Sequence, residues 1–494
     1  MQLPQPDPER LKRRDELLKC LYKFLDEEQV IHRQEDLIVY ECDALSAYRQ
    51  IPMGVILPKS TTEVSRALSL CSEIEIPVVP WGAGTGLSGG ALPLQDGIVI
   101  SLASMNRVTD IDLDNRTVTV EPGVTNLGVT HAVQQYGFYF APDPSSQLAC
   151  TIGGNIAENS GGVHCLKYGT TTNNVLGLQM VLADGEIVEI GGKRLDRNGY
   201  DLLALATGSE GLLGLITQAT LRILPKPETA RAAMAVFDSI QAAGQAVANI
   251  IADGMIPAGM EIMDRLSIEA VEDFLGCGYP RGVESLLLVE LDGPTTEVDA
   301  QFQTLEQLLK AAGASDLKIS SDESERLQFW AGRKAAFPAM GRISPDYYCM
   351  DGTIPRGSLP EVLTKIRELS QLYGLQVANV FHAGDGNLHP LVLYDSNQPG
   401  QLETAEELGA EILKLCVAVG GVLTGEHGVG IEKRDLMPCM FNDIDLDVQE
   451  CVKSAFDPKH LLNPGKVYPQ LRQCAEGRMH VHNGNIKFPD LDRF

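Results

Sequence analysis

Two of the chain's nine histidines, His382 and His389, bracket a glycine turn in VFHAGDGNLH. A third, His427, follows Glu426 in GGVLTGEHGVG, from Gly420 to Gly430. Apolar residues lead into the first stretch (Val377, Val380) and out of it (Leu391, Val392, Leu393), with Asp385-Gly386 between them. Asp-Gly flanked by strand-like runs predicts a two-residue hairpin turn, because both central residues must take positive φ. That turn pairs Gly384 with Asn387, Ala383 with Leu388 and His382 with His389. The two imidazoles then face each other on one side of the hairpin, with Cβ atoms about 5 Å apart. Two nitrogens so placed are a ready pair of metal ligands, and Glu426 adds an oxygen for a three-ligand site with open positions. His427 is then a candidate general base. For either histidine alone, a satisfied histidine in a hairpin is the plainer reading. The Glu-His pair in a glycine-rich loop close behind tips the balance towards a site.

The elements that must hold this chemistry in place begin at Gly54. GVILPKSTTEVSRALSLCSEI reads as a strand, a Ser60/Thr61/Thr62 cap and a helix, and IPVVPWGAGTGLSGGALP as a strand feeding a glycine loop. Gly84-Thr85-Gly86-Leu87-Ser88-Gly89 is a literal GxGxxG, but that motif grips a pyrophosphate only where a helix starts at the loop. Here the loop runs on through Gly90 and Pro93 into the strand-like DGIVISLASM, which argues against a Rossmann fold. Its amides can still form an anion-binding nest. Two more glycine-rich loops follow, at 153–162 and 208–214, with a hairpin over Asp184-Gly185 between them. Three such loops between strand-like segments imply an extended ligand gripped by backbone at several points.

From Glu228 to Asp435 strands alternate with long amphipathic helices, which predicts an antiparallel sheet covered on one side by helices. The helical run from Asp322 to Arg342 is expected to break at Pro338. Residues 8–28 form an amphipathic N-terminal helix, and Ile444 to Phe456 another before Asp457-Pro458. Hydrophobic content of 44% with 21% charged residues marks a globular chain. The balance of 66 acidic against 40 basic residues, net −26, makes nucleic acid and anionic membrane surfaces poor partners. Among eleven cysteines there is no CxxC pair. Cys150, Cys165, Cys277, Cys349, Cys416, Cys439 and Cys451 read mostly as buried small hydrophobes in a reducing compartment. With no apolar signal segment at the start and no run of about 18 apolar residues, a cytoplasmic chain without a membrane span is expected. A membrane complex is reached through a partner at most. His480 and His482, two apart near the end, read as an exposed tail.

The segment from about Gln50 to Lys226 resembles the FAD-binding domain of the vanillyl-alcohol oxidase superfamily, the PCMH-type fold. The motifs that carry this are PWGAGTGLSGG, PDPSSQ, TIGGNIAENSGG and ATGSEGLLGLIT. With HAGDGNLH, TGEHGVG and DPKHLLNPGK, the chain from 30 to 470 is similar to the FAD-linked D-2-hydroxyacid dehydrogenases. That family includes bacterial glycolate oxidase and the D-lactate and D-2-hydroxyglutarate dehydrogenases. The resemblance implies an α+β fold: a helical segment (1–49), a PCMH-type FAD domain (50–227), an antiparallel-sheet cap with covering helices (228–435) and a C-terminal helical segment returning to the flavin (436–494).

It also implies which residues touch FAD. These are Trp81, Gly82, Ala83, Gly84, Thr85, Gly86, Leu87 and Ser88 in the first loop, and Pro142, Asp143 and Ser146 before the second. Gly153, Gly154, Asn155, Asn159, Gly161 and Gly162 follow, then Glu210, Gly214 and Ile216, and Asn463 from the C-terminal end. Attachment is expected to be non-covalent, with His164 near the flavin. His382, His389 and Glu426 would hold a divalent metal (zinc, manganese or iron(II) all suit two nitrogens and an oxygen), with His427 as base. Arg333 matches the family's substrate arginine, Arg342 is a weaker candidate, and Tyr348 and Asn387 are expected to line the pocket.

The D-2-hydroxyglutarate enzymes carry a threonine four residues after that arginine and a lysine in the following strand. This chain has Phe337 there and Tyr348-Cys349 around the second position. With no cation left for a second carboxylate, glycolate or D-lactate is the expected substrate. A quinone, an iron–sulfur partner subunit or another carrier would accept the electrons, and homo- or hetero-oligomers are both compatible. A D-2-hydroxyglutarate-type dehydrogenase, a non-catalytic FAD subunit of a multi-subunit oxidase and, from residues 380–430 alone, a non-haem iron oxygenase remain open.

Overall fold

The strand Ser285–Gly293 reads SLLLVELDG, with no polar–apolar alternation before its end, and eight of its nine residues are buried. A strand of that kind needs cover on both faces. The computed structural model, which describes residues 3–194 and 199–469, supplies it. Ser285–Gly293 sits inside a seven-stranded sheet in the order Asp316–Ile319, Thr229–Phe237, Ser285–Gly293, Gly259–Asp264, Val377–His382, Pro390–Tyr394, Asp346–Cys349. Every pairing in it is antiparallel.

Leu287, Val289 and Leu291 point into one apolar layer with helices Ile240–Ala252, Thr295–Ala311, Leu359–Tyr373 and Gln401–Ala418. Leu286 and Leu288 point into another with Ile268 and Val271 of Arg265–Leu275 and Phe329 and Trp330 of Glu323–Lys334. The expected one-sided cover is therefore corrected, since helices lie against both faces. The helix from Glu323 ends at Lys334, and Pro338 sits inside the next turn, Ala336–Ala339, so the break falls earlier than expected.

The first half carries two smaller sheets. Gly54–Ile56 and Val78–Trp81 both run parallel to Ile98–Ser101, with Val30–Ile31 antiparallel at the edge. Val108–Asp112, Thr117–Val120, Leu215–Arg222, Val175–Val181 and Ile187–Gly191 form an antiparallel sheet of five. No helix starts in the glycine loop after Trp81, as its sequence predicts; the chain passes directly from Val78–Trp81 to Ile98–Ser101. The second glycine stretch departs from expectation. Ile152–Glu158 is a helix, capped by the Thr151 hydroxyl accepting from the Gly154 amide and closed by Asn159 at φ +53°. Adjacent glycines are poor helix formers; here Gly153 also tolerates no side chain, because a Cβ would lie 2.7 Å from Pro122.

The C-terminal segment returns to the first half. Asn463 donates its amide to the Val78 carbonyl at 2.7 Å, and Val78 donates to Leu461 at 2.8 Å. Cys439 and Cys451, expected inside, are exposed; Cys451 lies away from the face of Asp443–Phe456 that buries Leu446 and Lys453. Among the described residues no helix is long and apolar enough to cross a membrane. His480 and His482 lie outside the described residues.

Because Leu288 is fully buried at the centre of the large sheet, Leu288→Ala is expected to cost about 2–5 kcal/mol, the usual range for emptying a core leucine site. Urea unfolding followed by far-UV circular dichroism reads this as a lowered midpoint; an unchanged midpoint would contradict the two-sided burial.

Candidate functional site

The histidine hairpin forms, but not in the expected register. Val377 pairs with Val392, Ala378 with Leu391 and Asn379 with Pro390, and His382 bridges to Asn387. His382 therefore faces Asn387, and His389 is its diagonal neighbour. The turn spans Ala383 to Gly386, closed by the Gly386 amide on the His382 carbonyl at 3.1 Å. Only Gly386 takes positive φ (+86°), so the two-residue turn is corrected. A shift of two leaves each side chain on its original face. The rings still meet, edge to face, with centroids 5.1 Å apart.

Glu426 joins them. Its Oε1 lies 3.3 Å from His382 Nε2 and 3.2 Å from His389 Nε2. His427 stacks on His389 with centroids 4.8 Å apart, its Nε2 3.8 Å from the same oxygen. Asp351, which the sequence reading missed, shapes the turn that presents them. It accepts from the amides of Gly425 (3.0 Å), Glu426 (3.2 Å) and His427 (2.8 Å) and from the Thr424 hydroxyl. Its other oxygen is 3.4 Å from His389 Nε2, so Asp351, His389, Glu426 and His427 form a second possible donor set. Asp-Gly in CMDGTIP was the available signal.

Burial opposes charge on every one of these groups, yet the cluster polarises. Glu261 and Glu426 hold His382 well above the usual histidine range, and His382 and His389 hold Glu426 well below the usual carboxylate range. His427 goes the other way: burial, reinforced by His389, takes it down to about 4 and keeps it neutral.

These atoms fit a cation. His382 Nδ1 sits 2.5 Å from Glu261 Oε1. A proton held there leaves a lone pair on Nε2 facing a carboxylate oxygen. His389 is within ion-pair distance of Glu426, but neither of its ring nitrogens makes an aligned hydrogen bond, and both are sealed from solvent. Acceptors pointed at one another need a positive centre between them, either an extra proton or a metal. Two imidazole nitrogens and a carboxylate oxygen are a common set for the latter.

His389, Glu426 and His427 open onto a cavity of about 500 Å³. Its other walls are the three glycine-bearing regions: Trp81, Gly82, Ala83, Gly84, Thr85, Gly86 and Leu87; Ser146, Gly153, Gly154 and Asn155; and Glu210, Gly214 and Ile216, with Asn463 from the C-terminal return. None of the amides of residues 82–87 donates to a protein acceptor among the described residues. A run of free amides on a cavity wall suits a diphosphate.

Six residues expected on this wall lie off it. Ser88 donates its hydroxyl to the His427 carbonyl at 2.9 Å. The Pro142 carbonyl accepts from Asn126, Asp143 pairs with His164 at 2.8 Å, and Asn159 caps its helix. Gly161 and Gly162 make room for others: a Cβ on Gly161 would lie 2.4 Å from Glu426 Oε2, and one on Gly162 2.5 Å from the Asp143 carbonyl.

Arg333, Tyr348, Asn387 and His382 stand behind the wall. Arg333 is 1% exposed and gives Nε to Glu261 Oε2 at 2.7 Å, while its Nη2 has no partner. Tyr348 is buried beside Glu432, and Asn387 lies against the Gly425 turn. Arg342 is exposed over Phe274, and His164 bridges Asp143 and Glu290. The expectation that no cation remains near Phe337 is corrected. Lys334, one turn earlier, lines the same wall with Phe337 and makes no ion pair among the described residues.

Comparison with known proteins gives the family and the fold. Residues 52–191 match the family described as FAD binding domain, and residues 226–467 that described as FAD linked oxidases, C-terminal domain. The chain is 54% identical to the glycolate oxidase subunit GlcD of Escherichia coli, over 97% of both chains. It is 40% identical to GlcD of Bacillus subtilis, over 87% of this chain and 92% of that one. With a D-lactate dehydrogenase of Archaeoglobus fulgidus it shares 35% over 84% and 91%. Among solved structures, 4-ethylphenol oxidase from Gulosibacter chungangensis superposes with a TM-score of 0.79 at 18% identity, over 96% of this chain and 100% of that one. p-Cresol methylhydroxylase does so at 0.79 and 16%, over 94% and 98%. These two share the fold, and the PCMH-type α+β architecture read from the motifs holds.

Since Gly161 leaves the space that Glu426 occupies, Gly161→Ala is expected to push the Glu426 carboxylate aside while the glycine loops keep their places. A crystal structure of the variant would show it, and an unmoved Glu426 would contradict the packing described here.

Proposed function

The chain belongs to the FAD-linked oxidases, and from that premise we propose that it oxidises a small D-2-hydroxy acid, glycolate or D-lactate, to the 2-oxo acid. The observation that carries this reading is one cavity wall shared by the free amides of residues 82–87 and by His389, Glu426 and His427. Names of the similar proteins support the substrate class: glycolate oxidase subunit and D-lactate dehydrogenase.

Bound FAD would supply the two-electron acceptor, in contact with the glycine regions and Asn463. A divalent ion held by His382 Nε2, His389 Nε2 and Glu426 would supply a Lewis acid that acidifies a hydroxyl. The chain's own side chains do the rest. Arg333 Nη2, a buried donor without a partner just behind the cavity wall, would donate to the substrate carboxylate, because a guanidinium binds that group in its own plane. Tyr348 and Asn387 support the pocket from behind. His427, neutral through burial and its stack on His389, receives the hydroxyl proton at Nε2. Phe337, 6.3 Å from His389 between ring centroids, puts an apolar face beside the reacting end and favours a short substrate. Lys334 on the same wall is where a second carboxylate would go, so a D-2-hydroxyglutarate-type preference is the competing outcome.

Anaerobic titration of the FAD-loaded protein tests this. Glycolate or D-lactate is expected to bleach the flavin, and D-2-hydroxyglutarate to do so more slowly. A flavin inert to every 2-hydroxy acid would instead indicate a subunit that only carries FAD. His427→Ala is expected to keep its FAD and lose about 10²–10⁴-fold in the rate of bleaching, the usual worth of a general base. An unchanged rate would remove His427 from that role.

A further inference from the structure

We infer that Glu261 is a positioning residue that couples the arginine assigned to substrate to a histidine assigned to the metal, an inference that rests on the functional reading above. Glu261 lies in the strand Gly259–Asp264, sequence GMEIMD, between Met260 and Ile262, both of them core residues. It is fully buried, and sheet register places it directly opposite His382. Both of its oxygens are used: Oε1 on His382 Nδ1 at 2.5 Å and Oε2 on Arg333 Nε at 2.7 Å. No other partner reaches the carboxylate among the described residues, so it has two contacts and each is a residue of the site.

The fold gives no reason for this arrangement. Burying a carboxylate and a guanidinium is costly, and apolar side chains of similar volume commonly replace such a pair without loss of stability. The reason lies in what each contact fixes. A carboxylate at Nδ1 holds the proton on that nitrogen and leaves the Nε2 lone pair directed at Glu426, while raising its basicity towards a cation. On the other side, Nε of Arg333 is pinned and Nη2 is left without a partner. One side chain thus sets the direction of both, and its charge is shared between them. Weakening Arg333 should loosen the substrate but not the cation, because it leaves the whole charge of Glu261 to His382, and weakening Glu261 should loosen both.

The test uses the FAD-loaded protein and zinc or manganese as probe. Glu261→Gln keeps the size of the side chain and one acceptor but removes the charge. It is expected to weaken metal retention about 10–100-fold in chelator competition, the usual worth of such a partner, and to raise KM for the 2-hydroxy acid, with FAD content unchanged. Arg333→Met should raise KM without weakening metal retention, since it leaves the whole charge of Glu261 to His382. Metal retention within twofold of the parent in Glu261→Gln, or a loss confined to KM, would overturn the inference. Should Glu261→Gln fail to fold, histidine-selective ¹⁵N spectra of the parent decide: His382 is expected protonated at Nδ1 with Nε2 metal-bound, and the opposite tautomer would overturn it. A parent flavin inert to every 2-hydroxy acid would sink the functional reading, while metal retention across the variants would still decide the role of Glu261.

Discussion

Everything around the cavity follows from one electrostatic constraint. Two imidazoles and a carboxylate, all but sealed from water, meet at one oxygen, Glu426 Oε1, 3.3 Å from His382 Nε2 and 3.2 Å from His389 Nε2. Left to themselves such acceptors repel, and in a low-dielectric interior that repulsion is not screened. The chain nevertheless holds them there, His382 by a cross-strand carboxylate and Glu426 by a turn wound around Asp351. The site therefore calls for a positive centre beside Glu426, which protons on the imidazoles or a bound cation would supply.

Holding the cluster is only half of the task; it must also face the glycine regions. Three contacts do this, and each joins residues far apart in the chain. Glu210 accepts the amides of Val429 and Gly430 at 2.7 Å each, tying the third glycine region to the loop of Glu426 and His427. Ser88, from the first region, reaches the His427 carbonyl. Asn463 donates to the carbonyls of Gly90 and Glu210 and so closes the ring from the C-terminal side. Buried backbone groups are satisfied by these side chains rather than by water. The reactive loop is thereby fixed to the cavity instead of hanging over it.

Much of this was legible because types and spacing carry chemistry directly. The histidine hairpin, the Glu-His loop and the three glycine regions were readable, and a register error of two residues did no harm because strand faces repeat every two. Other features were hidden for physical reasons. Ile152–Glu158 looks like a loop by composition, and its helix depends on the Thr151 cap and on close packing against Pro122, both tertiary. Cover on both faces of the large sheet was signalled by SLLLVELDG, whose lack of alternation outweighs the amphipathic helices. Glu261 and Asp351 belong to none of the motifs read from the sequence, and only the fold shows what they hold. Arg333 was found, but its attachment to Glu261 joins residues that no local pattern connects.

The most direct measurement is anomalous diffraction from crystals of the FAD-loaded protein, collected at the absorption edges of zinc, manganese and iron. A single peak is expected about 2.0–2.3 Å from His382 Nε2, His389 Nε2 and a Glu426 oxygen, with the flavin ring in the same cavity. No peak at any of the three edges, or one held by Asp351 and His427 with His382 uninvolved, would contradict it.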